Sequence, residues 1–272
     1  MIVLKIRKGD IVARKSYGKD ILFIADRIIK LKSKVVYVIL KGLNIRIEAD
    51  APIDDVEKVD FKRIAKSQRK IHDMILTRIN TYRKEYRGYS IKTGTILHLD
   101  GDVRYSQKSA KYYKKMGLNA IVKNIPENKQ AYMVRGLLEK YNPDILVITG
   151  HDAMLKKGIN YSNIYNYRNS KNFIESVKEA RKWASSSNKL VIFAGACQSF
   201  FEGIMEAGAD FASSPGRILI DFIDPLIVAE KIATTDKEKF VTSYEIAREI
   251  KEGEKGIGGI GAKGKKSKVT IM

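Results

Sequence analysis

The chain has 272 residues, long enough for one well-buried α/β domain and a smaller companion. No apolar run approaches the roughly 20 residues of a membrane span, and "MIVLKIRKGD" lacks the apolar core and cleavage site of a secretory signal. One cysteine excludes an internal disulfide and fits a reducing compartment, while a formal charge of +20 raises the question of an anionic partner without deciding it.

The charge is uneven. Residues 1–93 hold 23 Lys and Arg against 11 Asp and Glu, residues 94–240 hold 21 against 16, and residues 241–272 hold 7 against 4. Residues 1–52 alternate short β-branched runs with turns at Gly18, Gly42 and residues 32–34, which predicts a small antiparallel β-barrel of SH3-like size. Residues 53–93 read as a basic helical linker, with Ile71, Ile75, Ile79, Tyr82 and Tyr86 forming one stripe up to a break at Gly88.

From Thr93 short apolar runs alternate with helical patterns, which predicts an α/β domain over residues 94–240: a mostly parallel sheet covered by helices on both faces. "TILHLDG", "NAIVKNI", "DILVITGHD" and "LVIFAGAC" are the expected strands, with "RILIDFID" a further one. Residues 241–272 are expected to hold a last helix around "SYEIAREIKEG" and a mobile tail rich in glycine and lysine.

In open parallel sheets ligands bind beyond the carboxyl ends of the strands. "LVITGHD" delivers His151 just past one strand, and "LVIFAGACQS" delivers Cys197 just past the next. A thiol needs a base to become a nucleophile and an imidazolium to stabilise the thiolate. The helix expected directly after Cys197 would add its positive end, and backbone N–H groups of Cys197 and Asp152 could hold an oxyanion. His72 falls on the linker helix and His98 inside a strand. One cysteine and one histidine do not complete a zinc shell, so neither a metal nor a cofactor is expected. Asp152, Asp221 and Asp224 lie near the same edge in sequence and are candidates for binding a basic substrate side chain. Asp224 has an equally good use as a capping residue before "PLIVAEKIA".

An apolar block ending in His, followed by one ending in Ala-Cys, resembles the caspase–legumain–clostripain group of cysteine peptidases. That resemblance implies a caspase-like sheet, with a flavodoxin-like one as the alternative. Those peptidases usually carry glycine directly after the histidine, where this chain has Asp152. A longer resemblance covers nearly the whole chain. "KGDIVARKSYGKDILF", "LKGLNIRIEADAPIDD", "YNPDILVITGHDAML", "NYRNSKNFIESVKEAR", "VIFAGACQSFFEGIMEAGADFASSP" and "GIGGIGAKGK" are similar to the YabG family of sporulation-specific proteases. It implies a cysteine endopeptidase, made in the sporulating cell and associated with the developing spore, that processes spore-coat and related proteins. The family's catalytic Cys and His fall on Cys197 and His151. Neither membrane nor nucleic acid is the expected partner. The competing classes are a non-enzymatic, basic nucleic-acid- or coat-binding protein and a cysteine hydrolase acting on other amides.

Overall fold

A computed structural model describes residues 6–30, 36–85, 87, 89–155, 160–184 and 190–271. The polar turn at residues 32–34, Tyr86 and the helix break at Gly88 lie outside them. The chain divides into two compact units, Met1–Arg78 and Ile79–Met272.

In the first unit β1 (Ile11–Arg14), β2 (Phe23–Lys30), β3 (Val36–Gly42), β4 (Glu48–Pro52) and β5 (Val56–Lys58) form an antiparallel sheet in the order β4-β3-β2-β1-β5. Alternate residues turn inward, so Val12, Phe23, Ala25, Val38, Leu40, Ala51 and Val56 make one small core. A single 3-10 turn, Ile53–Asp55, joins β4 to β5. Its Asp55 carboxylate anchors β1 by accepting from Arg14 Nε at 3.0 Å and Ser16 N at 2.8 Å. The long helix α1 (Phe61–Glu85) follows and runs past the boundary between the units. Ile79 of the predicted stripe is its buried residue, and the basic side chains populate the remaining faces.

The second unit is the alternating α/β pattern expected from residue 94 onward. After β6 (Tyr89–Lys92) come β7 (Ile96–Asp100), α2 (Val103–Met116), β8 (Ala120–Asn124), α3 (Glu127–Tyr141), β9 (Ile145–Thr149) and α4 (Ser170–Ala184). Then follow β10 (Val191–Ala194), α5 (Phe201–Glu206), β11 (Phe211–Ser213), α6 (Asp224–Thr234), β12 (Phe240–Val241) and α7 (Ser243–Ala247). Strands β8-β7-β9-β10-β11 are parallel neighbours in that order. This is a doubly wound arrangement whose strand order reverses between β7 and β9. Helices on both faces explain the unbroken apolar runs: every residue of β7, β9, β10 and β11 is buried. Leu97, Leu99, Leu146, Ile148, Ile192 and Ala194 pack against Val134, Leu138, Phe173, Val177 and Ile204 of α3, α4 and α5.

Two expectations about the strands and the tail fail. "RILIDFID" is not a strand. β11, eight residues earlier than its centre would place it, takes the position beside β10, and residues 217–220 run without regular structure. Their backbone is committed elsewhere: Ile218 O accepts from Gln198 N at 3.0 Å and from Ser214 Oγ at 2.8 Å. The glycine-rich tail is ordered as β13 (Ile257–Gly259), β14 (Ala262–Lys263) and β15 (Ser267–Ile271), pairing antiparallel with β11, β12 and β6. Its glycines serve close approach and not flexibility. A Cβ on Gly259 would stand 2.2 Å from Asp210 O, and one on Gly264 2.2 Å from Thr235 O.

The tail also props the loop behind Cys197. Gly256 O accepts from Ser214 N at 2.7 Å, and Ser214 Oγ accepts from Gln198 N at 3.1 Å. Removing residues 257–272 therefore strips a ladder from β11 and from β6 and exposes the buried face covered by Ile257. We expect a loss of about 3 kcal/mol or more, read as a fall of about 6–12 °C in the thermal midpoint. A truncated chain melting with the full-length protein would show that the tail carries no load.

Candidate active site

The carboxyl edge of the parallel sheet collects the polar groups of the second unit. Register pairs Ile148 of β9 with Ala194 of β10. His151 is the third residue after the first of these, and Cys197 the third after the second, so the two leave neighbouring parallel strands at the same level. The turns that carry them are bound to each other. Gln198 Oε1 accepts from Met154 N at 3.3 Å, and Thr149 Oγ1 donates to Gly195 O at 2.8 Å. Gly195 lies at φ +114°, and a Cβ there would stand 2.4 Å from Ser213 Oγ, so the start of the cysteine turn requires glycine.

Asp152 is the strongest of these ties. It is 0% exposed. Oδ1 accepts from Ala153 N at 2.9 Å and Asn169 N at 2.7 Å. Oδ2 accepts from Ser170 Oγ at 2.5 Å and Ser199 Oγ at 3.0 Å. The two hydroxyls in turn accept from Phe200 N and Ala196 N. With both oxygens occupied, this carboxylate offers no face to a substrate. The expected substrate contact through Asp152 gives way to a supporting position between the histidine loop, the start of α4 and the cysteine turn.

Cys197 is fully buried. Its sulfur accepts from Ile220 N at 3.2 Å and lies 3.5 Å from Ile220 O. The helix expected directly after it begins only at Phe201 and runs six residues, so the N–H that reaches the sulfur comes from the segment that was expected to be a strand. Asp221 follows Ile220 and is half-buried. Asp224 opens α6, and its Oδ2 accepts from Asp221 N at 3.1 Å. Lys251 lies close by: Glu252 first, then Asp221 and Asp224, hold its ammonium above the usual lysine range.

Two carboxylates that the sequence reading did not single out flank His151. Its Nε2 lies 3.3 Å from Asp102 Oδ2, an ion-pair distance without an aligned hydrogen bond, and its Nδ1 lies 3.8 Å from Glu127 Oε1. Asp102 ends the loop after β7 and caps α2, accepting from Arg104 N at 2.7 Å and Arg104 Nη2 at 2.6 Å. Burial raises the Asp102 carboxyl, but Arg104 and His151 outweigh it and hold it below its ordinary range. Glu127 is the first residue of α3 and accepts from His151 N at 2.8 Å. Tyr105 lies against the imidazole, ring centres 5.6 Å apart, and stacks on Phe222 at 5.5 Å. The signal for the carboxylates was present in "LHLDGDV" and "IPENKQ": both follow strands of the same sheet and so project to the same edge. His98 remains in β7, bonded to Tyr113 Oη through Nδ1 at 3.0 Å. Among the described residues no set of His, Cys, Asp and Glu converges as metal ligands, and no helix is long and apolar enough to cross a membrane.

This is a doubly wound α/β protein whose histidine, cysteine and acidic groups gather where such sheets bind ligands. A family model described as YabG peptidase U57 matches residues 7–270. The sporulation-specific protease YabG of Bacillus subtilis (strain 168) is 36% identical over 279 residues, covering 96% of each chain. The chain belongs to the YabG peptidase U57 family, and a sporulation peptidase is what that membership supports. A solved LuxR-family response regulator from Aurantimonas sp. SI85-9A1 aligns at 19% identity over 43% of this chain and 71% of its own, with a TM-score of 0.26, too low to carry an argument.

Burial pushes the Asp152 carboxyl up to about 6, against the opposing pull of Ser170, Asn169, Ala153 and Ser199. A carboxyl whose folded pKa exceeds its unfolded value stabilises most below about pH 4 and loses that contribution as pH rises through about 6. Asp152→Asn cannot titrate. Its stability deficit relative to the parent should therefore shrink between pH 4 and pH 7, by an amount on the order of 2 kcal/mol. Denaturant unfolding of both proteins at each pH measures it, and a deficit constant with pH would refute the assignment.

Proposed function

We propose that this chain is a cysteine endopeptidase that processes spore-coat and related proteins during sporulation. The observation that carries the reading is the equal level of His151 and Cys197 beyond neighbouring parallel strands, in a chain whose family is a peptidase family. That juxtaposition, with the dyad on adjacent strand ends, favours the caspase-like description of the sheet. The strand order of the first unit, with its 3-10 turn before β5, favours the SH3-like one.

In the reaction, His151 takes the proton of the Cys197 thiol, and the thiolate adds to the scissile carbonyl. The carbonyl oxygen gains the negative charge and is held by the backbone N–H of Cys197, with that of Asp152 as second donor. Collapse of the tetrahedral adduct breaks the C–N bond, and the imidazolium protonates the departing amine. Water, deprotonated by His151, then hydrolyses the thioester and returns the thiol. Because Ile220 covers the sulfur, residues 217–222 must move aside before a peptide can reach it.

Asp221 is the residue we assign to a basic side chain on the acyl side of the cut bond. It is half-buried, adjacent to the covering Ile220, and already acts on the ammonium of Lys251. Asp224 supports it through the Asp221 N–H. The first unit serves substrate docking. Its cleavage targets would be protein, and the enzyme would act in the sporulating cell at the developing spore.

Cys197→Ala and His151→Ala should each reduce cleavage of labelled casein at least about a thousandfold with the thermal midpoint little changed. Full activity in purified Cys197→Ala would end the cysteine mechanism. Asp221→Asn should lower kcat/KM about 10- to 100-fold for peptides with Arg or Lys before the cut, the worth of one charge-assisted hydrogen bond. Peptides cut after other residues should be unaffected. Sequenced fragments ending in acidic or apolar residues would overturn the specificity. A chain lacking residues 1–50 should lose more activity on coat protein than on a short peptide, and equal losses would assign that unit to support alone.

A further inference from the structure

We infer that Glu127 is a positioning residue for His151, an inference that rests on the reading of His151 as the base. Two independent features of the fold point to it. The first is contact: Glu127 Oε1 accepts from the His151 backbone N–H at 2.8 Å and stands 3.8 Å from Nδ1 of the same residue. One carboxylate thus engages both the backbone and the ring of the histidine. The second is space. A Cβ on Gly101 would lie 2.1 Å from Glu127 Oε1, and a Cβ on Gly150 would lie 2.2 Å from the same atom. These glycines follow β7 and β9, the strands between which the sheet order reverses. The carboxylate occupies a slot that exists because both strand ends lack side chains.

The slot is held from below. Gly101 N donates to Thr149 O at 3.1 Å, closing the two strand ends on each other. Gln130, one turn along α3, donates through Nε2 to Ile125 O at 3.0 Å and to Thr149 O at 2.9 Å. The first turn of α3 is therefore bolted to the edge of β9, and Glu127 is carried with it.

An acidic residue at the first position of a helix also stabilises the helix by its charge alone, but that use requires neither glycine. The second carboxylate, Asp102, is differently employed: it caps α2 and shares its charge with Arg104. Among the described residues no Lys or Arg forms an ion pair with Glu127. Burial raises its carboxyl, yet contact with His151 outweighs this and keeps it ionised. An anion so placed holds the ring at one orientation and leaves to Nε2 the other side of the ring, where Asp102 Oδ2 stands at 3.3 Å.

The test is a mutant cycle on casein cleavage in the full chain. Glu127→Ala should lower kcat about 10- to 100-fold with KM within about twofold. Glu127→Gln, which keeps the acceptor for the His151 N–H and fits the slot, should recover part of that loss. Gly150→Ala should by itself reproduce the kcat defect, because its methyl evicts the carboxylate. In a Glu127→Ala background the same Gly150→Ala change should cost less than about twofold more, since nothing remains to evict. Gly101→Ala provides the same eviction from the other strand should Gly150→Ala fail to fold, as judged by its thermal midpoint. Losses that multiply in the double variant, or a Glu127→Ala enzyme within twofold of the parent in kcat, would overturn the inference. Cys197→Ala run alongside separates the two levels. If it still cleaves casein, the cysteine reading has failed; if it is dead while Glu127→Ala is fully active, only the positioning role has.

Discussion

A carboxylate taken out of water loses hydration that hydrogen bonds must replace, and at Asp152 four donors from three parts of the chain converge to do so. Ala153 and Asn169 close the loop after β9, Ser170 begins α4, and Ser199 belongs to the cysteine turn. The loop after β9 and the cysteine turn have no regular ladder to define them. Their common acceptor does the defining, and the two hydroxyls pass the constraint onward to Ala196 N and Phe200 N on either side of Cys197. The replacement is incomplete, since burial still drives the carboxyl up to about 6. The fold tolerates that cost at the one place where the histidine and cysteine turns must keep a fixed relation. An asparagine could not supply the same four acceptances, and a serine could not reach them. An aspartate directly after the histidine follows from that need.

The sheet was legible because its chemistry is periodic. Strands buried on both faces must be apolar throughout, and "ILVIT" and "LVIFA" have few other uses when helical patterns separate them. His151 and Cys197 stood out as the polar residues ending those runs. Glu127 and Asp102 did not, because a carboxylate at the head of a helix has an ordinary capping use and 31 acidic residues offer many such places. What would have revealed them is the pairing of Gly101 and Gly150 at successive strand ends, a pattern whose meaning is spatial. "RILIDFID" misled for the converse reason. Its apolar alternation is real, and Ile220 and Phe222 are buried, but the burial covers the cysteine turn, and β11 holds the place beside β10. The tail misled through composition. Glycine is as much the residue of close backbone approach as of flexibility, and at Gly259 and Gly264 approach is what the packing requires.

A peptidase that cuts beside basic residues has to withstand its own 51 Lys and Arg. On the proposed reading the fold meets this in two ways that share an element. A peptide must be extended and unpaired to enter a catalytic cleft, and the lysine-rich tail is extended but paired: β13, β14 and β15 each spend their backbone on a partner strand. The nucleophile is covered as well, by a backbone N–H that doubles as the sulfur's hydrogen-bond donor. Both devices meet at Ser214, whose N–H is bonded to the tail at Gly256 and whose hydroxyl bridges Gln198 to Ile218, two residues before the covering Ile220. Loosening the tail would weaken the support of the segment over Cys197, while docking the tail draws that segment into place. Order in the carboxyl-terminal strands and burial of the thiol are thus joined by one connected set of hydrogen bonds that runs through the backbone and hydroxyl of Ser214.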